Sequence, residues 1–271
     1  MLKVKSMVGS FPVPKKIDKT CSVHKDTKLV QGTIPGHTEP FCPKCAKEAM
    51  EEKTKHAIKA FHDRKTKGRL YKDSVLTDRD VLECSFDNFN TSDSDESQRL
   101  LKQAMFMANQ YLIKDFKGNT VLSGKQGTGK THLAYSMLRY VNEHAEPQQS
   151  CLFIDFNELV TKIKNNFNNK SSIWQEGTML DQIGNADLVV IDDLGSEASF
   201  KANTSESSEW NQRFLYNILN RRNRTIITTN LSGAEIEEVY NPKIASRINK
   251  GIGNHAIKFS AELTDKRKEA Y

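Results

Sequence analysis

Long apolar runs are missing from this 271-residue chain. A bilayer-spanning helix takes about twenty apolar residues in succession; no stretch supplies them, and no membrane partner is expected. The opening residues, MLKVKSMVGSFPVPKK, lack the apolar h-region of a secretory signal, so a cytoplasmic protein is expected. No segment repeats another, which sets solenoid architectures aside. Cysteines are few and odd in number, five, and two of them form a C-x-x-C. In a cytosolic chain that usage favours thiols and metal over disulfides.

What the chain does have is charge, unevenly spread around a formal net value of +6. Residues 1–20 hold five Lys against one Asp, and the stretches 46–72 and from Asn241 onward are also basic. DNFNTSDSDES, by contrast, is acidic. Basic arms suit a polyanionic partner such as nucleic acid, although solvated lysine faces are common. The length suffices for one full core and a small extra domain. Residues 1–45 are rich in Pro, Gly, Cys and His and show little periodicity. Residues 46–69 read as a charged helix, with Ala46, Ala49, Met50, Ala57, Ile58 and Phe61 at roughly helical spacing. A polar connector follows and ends in the acidic patch, placing a boundary near Tyr71–Asp80. The expected division is a front domain over 1–70, a linker over 71–97 and a larger domain over 98–271.

From Gln98 onward, helices and strands alternate. A helix over 98–115 turns Leu100, Leu101, Ala104, Met105, Ala108, Tyr111 and Leu112 to one face. NTVLSG, CLFID, DLVVIDD and TIITTN read as strands, and HAIKFS as a closing strand. Helices are expected after GKQGTGKT, at FNELVTKIKNNF, at SEWNQRFLYNILNRR, and over about 232–239 and 242–249. Unbroken apolar strands alternating with helices mean an α/β fold with a parallel sheet covered on both faces.

GKQGTGKT, 124–131, is a phosphate loop in its proper context, strand before and helix after. Gly124, Gly127 and Gly129, with Thr128 between them, permit the turns that aim successive N–H groups at phosphate. Lys130 places a point charge on the β- and γ-phosphates, and the Thr131 hydroxyl is the expected Mg²⁺ ligand. LVVIDDLG, 188–195, puts Asp192 and Asp193 at the ligand-binding end of a buried strand. Asp192 is read as the metal-side carboxylate, Asp193 as the group polarising the attacking water; two solvated Asp in a turn are the alternative. Asn230 ends TIITTN and is placed near the γ-phosphate, although Asn at a strand end is often a turn former. Arg247, in PKIASRINKG, is either a surface charge or a finger reaching a neighbouring subunit's nucleotide. Arg267 is either a phosphate sensor in cis or part of a basic tail. The guanine-specificity run NKxD is absent, which disfavours a GTPase. A small-molecule kinase needs neither the Asn nor so distant an Arg.

In the front segment, CSVH at 21–24 and CPKC at 42–45 form C-x₂-H…C-x₂-C. Each pair brackets a tight knuckle, so Cys21, His24, Cys42 and Cys45 can close on one tetrahedral Zn²⁺. His37 is an alternative to His24. Free thiols or a redox C-x-x-C are the competing readings, the latter lacking a βαβ context. Cys84 and Cys151 are left without a role.

The whole order of zinc knuckles, basic helix, FDNF (86–89), GKQGTGKT, LVVIDDLG, TIITTN and IASRI resembles bacterial and phage replicative helicase loaders of the DnaC/DnaI type, which are AAA+ ATPases. The likeness runs over about 80–265, with the zinc-bearing front similar to the DnaI branch. It implies a five-stranded sheet with the phosphate-loop strand central, ATP rather than GTP, and FDNF near the adenine. It also implies a front domain that binds the hexameric replicative helicase, and an ATPase domain that binds single-stranded DNA and its own neighbours. Within the likeness Lys130 and Thr131 match the phosphate-loop pair, Asp192 the metal carboxylate, Asn230 the first sensor and Arg247 the finger, while Arg267 matches the second sensor loosely. Asp193 stands where many AAA+ proteins have Glu, which implies slow turnover suited to a switch. Little chain follows HAIKFS, so no full helical lid is expected. Two other functions fit the motifs: a transposition helper ATPase of the IstB type, and a zinc-domain adaptor that sequesters the helicase around a structural nucleotide site.

Overall fold

A computed structural model describes residues 15–31, 39–92, 94–196, 205–253, 255–263 and 265. The chain divides into two units, 1–62 and 63–271. In the first, strands β1 (Lys15–Thr20) and β2 (Lys28–Gln31) form an antiparallel hairpin, and Val30 also bridges Phe41. Helix α1 (Pro43–Lys65) follows and buries none of its residues. Among the described residues of this unit only Cys21, Val30 and Cys42 are buried. So small an apolar interior does not offset the entropy of ordering the chain.

The second unit is built on five parallel strands: β3 (Thr120–Ser123), β4 (Cys151–Asp155), β5 (Leu188–Leu194), β6 (Thr225–Thr229) and β7 (Ala256–Lys258). Their spatial order is β4-β5-β6-β3-β7. The middle position therefore belongs to β6, and the phosphate-loop strand β3 lies one place over, between β6 and β7. This corrects the expectation of a central β3.

Alternation along the strands sends side chains to two cores. Leu122, Phe153, Val190 and Ile226 pack under α3 (Asp95–Leu112) and α4 (Lys130–His144). Val121, Ile154, Ile191 and Ile227 pack on the other face with α5 (Phe156–Asn165), α6 (Glu176–Gly184) and α7 (Ser205–Asn220). Two short helices, α8 (Gly233–Val239) and α9 (Pro242–Ile248), complete that layer. Helix α3 buries Leu100, Ala104, Met107, Ala108 and Tyr111, a 3–4 spacing that leaves Met105 41 % exposed. Met107, not Met105, is the inward methionine.

The chain divides after His62, ahead of the stretch read as a linker, and that stretch is structured. It holds the end of α2 (Lys67–Lys72) and a 3-10 turn, Arg79–Glu83. Val75 is buried and bridges Ile154, donating to the Phe153 carbonyl and accepting from the Asp155 N–H. Val75 thus pairs two groups on the outer edge of β4, and the Ser74 hydroxyl accepts a third, the Phe153 N–H, at 2.9 Å. Among the described residues no helix is long and apolar enough to cross a membrane.

Candidate functional site

The phosphate loop leaves β3 at Gly124, whose φ is +148°. A Cβ there would lie 2.6 Å from the Phe259 carbonyl oxygen, so only glycine fits. The loop enters α4 through Gly129, at φ +95°. The buried Thr128 hydroxyl donates to the Lys125 carbonyl at 2.8 Å. Lys130 donates through Nζ to the carbonyls of Gly124 and Lys125, at 2.9 and 2.6 Å. Its ammonium is thereby held inside the loop, at the positive end of α4.

Asp192 comes to the same point from β5. It is buried, and its carboxylate accepts hydrogen bonds from the Thr131 hydroxyl (3.0 and 3.2 Å) and the Thr228 hydroxyl (2.6 Å). Burial pushes this carboxyl up to about 6, against the lowering effect of the two hydroxyls. A buried hard-oxygen pair with a costly charge fits Mg²⁺, whose ligands are hydroxyl and carboxylate oxygens. Asp193 has φ +56°, the left-handed region that non-glycine residues rarely enter. Asn230 donates through Nδ2 to its Oδ1 at 3.3 Å.

Lys130, Thr131, Asp192, Asp193 and Asn230 border one cleft of about 560 Å³. Gly127 and Gly129 of the loop line it as well. Asn88, Phe89 and Asn90 border it from the segment that precedes α3, and Phe89 packs edge-on against His132 at 5.3 Å. Thr228 also lines the cleft, and nothing in its sequence context singled it out. Only its pairing opposite the two acids does so, and strand register is not visible in a single sequence.

Arg247 is not among the residues around this cleft. It is half-buried on α9, where Nε donates to Asn220 Oδ1 at 3.1 Å and the guanidinium carbon lies 6.0 Å from the centroid of the Tyr216 ring. Arg267 and His37 lie outside the described residues.

In the first unit, Cys21, His24, Cys42 and Cys45 present ligand atoms that all lie within 4.8 Å of one another. Cys21 Sγ is 3.6 Å from Cys45 Sγ, and His24 Nδ1 is 3.2 and 3.7 Å from the sulfurs of Cys45 and Cys42. The edge of a Zn–S tetrahedron is about 3.8 Å for bonds of about 2.3 Å, so the set needs little movement to close on zinc. The knuckle is shaped by backbone bonds, Cys21 N–H to the Thr27 carbonyl and Thr27 N–H to the His24 carbonyl. His24 Nε2 lies 3.0 Å from Glu48 Oε1, the carboxylate partner that orients a metal-binding imidazole. Backbone hydrogen bonding at His24 lowers the Cys21 thiol to about 6, while the Cys21 sulfur beside it drives Cys45 up to about 12. A dication relieves that conflict by holding both as thiolates.

A family profile described as IstB-like ATP binding protein matches residues 47–267, a range that starts just after the four metal-ligand candidates. The replicative helicase loader DnaC of Escherichia coli K12 is 28 % identical over 175 residues, 62 % of this chain and 64 % of that protein. The chain thus spans 64 % of the length of this curated relative. The crystal structure of the DnaC helicase loader matches with a TM-score of 0.55 at 19 % identity, covering 68 % of this chain and 100 % of that one. AMPPCP-bound DnaA from Aquifex aeolicus matches with a TM-score of 0.50 at 14 % identity, over 69 % and 54 % of the two chains. At these identities the structural likenesses speak for the fold alone.

Proposed function

The chain belongs to the family of IstB-like ATP binding proteins, and from that premise we propose that it is an ATP-driven loader of the replicative DNA helicase. The reading is carried by one observation: the phosphate loop, the two acids and Asn230 meet in a single cleft, in a chain alignable over 175 residues with a replicative helicase loader.

In this reading Lys130 and the loop N–H groups hold the β- and γ-phosphates of ATP, with Asn88, Phe89 and Asn90 on the base side. Thr131 and Asp192 hold Mg²⁺, which when bound neutralises charge on the transferring phosphoryl group. Asp193 polarises the attacking water, and Asn230 fixes that carboxylate. Arg247 acts on the nucleotide of a neighbouring copy, consistent with its absence from its own chain's cleft. Such a site is complete only in a self-assembled oligomer.

Single-stranded DNA is assigned to a surface formed by α5, the turn after it and Trp210 of α7. The Lys162 and Lys164 ammoniums lie 5.1 and 5.4 Å from the centroids of the Trp174 and Trp210 rings. Phe167 beside them is 52 % exposed. Cations interleaved with rings suit a phosphate backbone with stacked bases. Buried Arg222 and Arg224, by contrast, are committed to backbone carbonyls and are unavailable to DNA.

The helicase contact is assigned to the first unit, folded around Zn²⁺ on Cys21, His24, Cys42 and Cys45. Atomic emission on the purified chain is expected to find one zinc per chain, and none in a Cys42→Ser variant. Because structural zinc contributes about 10–16 kcal/mol to such folds, that variant loses the ordered first unit and helicase binding together. Nucleotide binding by the second unit persists.

Loading itself is tested by incubating chain, cognate helicase and single-stranded DNA circles with ATP. Helicase retained on DNA only when the chain is present supports the reading, and retention independent of the chain contradicts it. The family description also fits a second reading, a transposition helper acting on a transposase. Affinity capture that recovers a transposase in place of a replicative helicase decides for that one.

A further inference from the structure

We infer that Thr228 is a positioning residue of the nucleotide site: its single hydroxyl sets both acids, Asp192 toward the metal and Asp193 toward the water. The inference deepens the ATP reading of the cleft and rests on it.

Strands β5 and β6 are in register through Ile191↔Ile227 and resume at Leu194↔Thr229. Two residues of β5, Asp192 and Asp193, therefore stand opposite one of β6, Thr228. This is a β-bulge, a device that breaks the ladder and re-aims side chains. At the break, the Thr228 hydroxyl accepts the Asp193 N–H at 2.9 Å, a bond the ladder no longer supplies. The same hydroxyl donates to Asp192 Oδ1 at 2.6 Å. Thr228 is 1 % exposed, so water does not replace either bond.

The consequences reach both acids. Asp192 is held with its carboxylate against the Thr131 hydroxyl, its partner for a hard cation. Asp193 is held in the left-handed conformation that brings its carboxylate to Asn230. Valine has nearly the same shape as threonine but can neither donate nor accept. It leaves the Asp193 N–H without this partner and frees the Asp192 carboxylate to turn.

The test reads the affinity of a fluorescent ATP analogue, once in excess EDTA and once in Mg²⁺, so that the gain due to metal is isolated. The Mg²⁺ gain, taken as the ratio of the two affinities, falls about tenfold in Thr228→Val, the scale on which supporting partners of metal ligands act. Thr228→Ser, which restores the hydroxyl, recovers most of the gain. Combining Thr228→Val with Asp192→Asn costs no more than Asp192→Asn alone, because the hydroxyl acts through that carboxylate. Should Thr228→Val fail to fold, Thr228→Ala against Thr228→Ser makes the same comparison. A full Mg²⁺ gain in Thr228→Val, or additive losses in the double variant, overturns the inference. A wild-type chain whose affinity ignores Mg²⁺ overturns the ATP reading of the cleft itself, and Thr228's role with it.

Discussion

Lys130→Ala is expected to lose ATP turnover by at least about 100-fold, the scale on which removing one charged or hydrogen-bonding contact to a transition-state oxyanion acts. The ammonium is already held within the loop, bonded to the carbonyls of Gly124 and Lys125. Phosphate oxygens exchange for those carbonyls without moving the side chain far, so the charge is pre-organised and its loss is not made good by water. Steady-state turnover and equilibrium nucleotide binding check this together, and both fall. Helicase retention on DNA circles falls with them. A Lys130→Ala chain that still loads helicase at the wild-type rate gives the adaptor reading the advantage, because hydrolysis is then irrelevant to loading.

Arg247→Ala is expected to separate binding from turnover. ATP binds as before, because the guanidinium lies against Asn220 and the Tyr216 ring, away from its own chain's cleft. Turnover falls by about 10³, the lower end for an arginine finger. Lysine does not rescue, since it lacks the planar fork. Mixing the two inactive variants is the sharper form of the test. Lys130→Ala subunits supply the arginine, and Arg247→Ala subunits supply the occupied cleft, so the mixture regains activity that neither has alone. A mixture as inactive as its parts places the function of Arg247 elsewhere.

Much of the second unit is written openly in the chain. β5 opens on four apolar residues in succession, Leu188 to Ile191, and the amphipathic helices between strands announce their inner faces at every third and fourth residue. The phosphate loop is legible because its chemistry demands a fixed spacing of glycine, lysine and hydroxyl. What was not legible depends on pairing. β1, KKIDKT, is almost wholly exposed and carries no alternating pattern. The Val75 bridge is a single residue and has no period at all. Helix α6 hides Met179, Leu180 and Ile183 behind a glycine and polar flanks, and its nine residues are too few to show a stripe. The place of β3 beside, rather than at, the middle of the sheet is a matter of strand order, which no local pattern encodes. Thr228 belongs to the same class: an ordinary strand threonine whose importance comes from standing opposite a bulge.

In the loader reading, bound nucleotide governs the grip of this chain on a replicative helicase. Native mass measurement of the purified chain mixed with its cognate hexameric helicase, once with ATP and once with ADP, tests it most directly. A hexamer carrying several copies of the chain is expected in ATP, and separate species in ADP. The same complex in both nucleotides, or none in either, contradicts it.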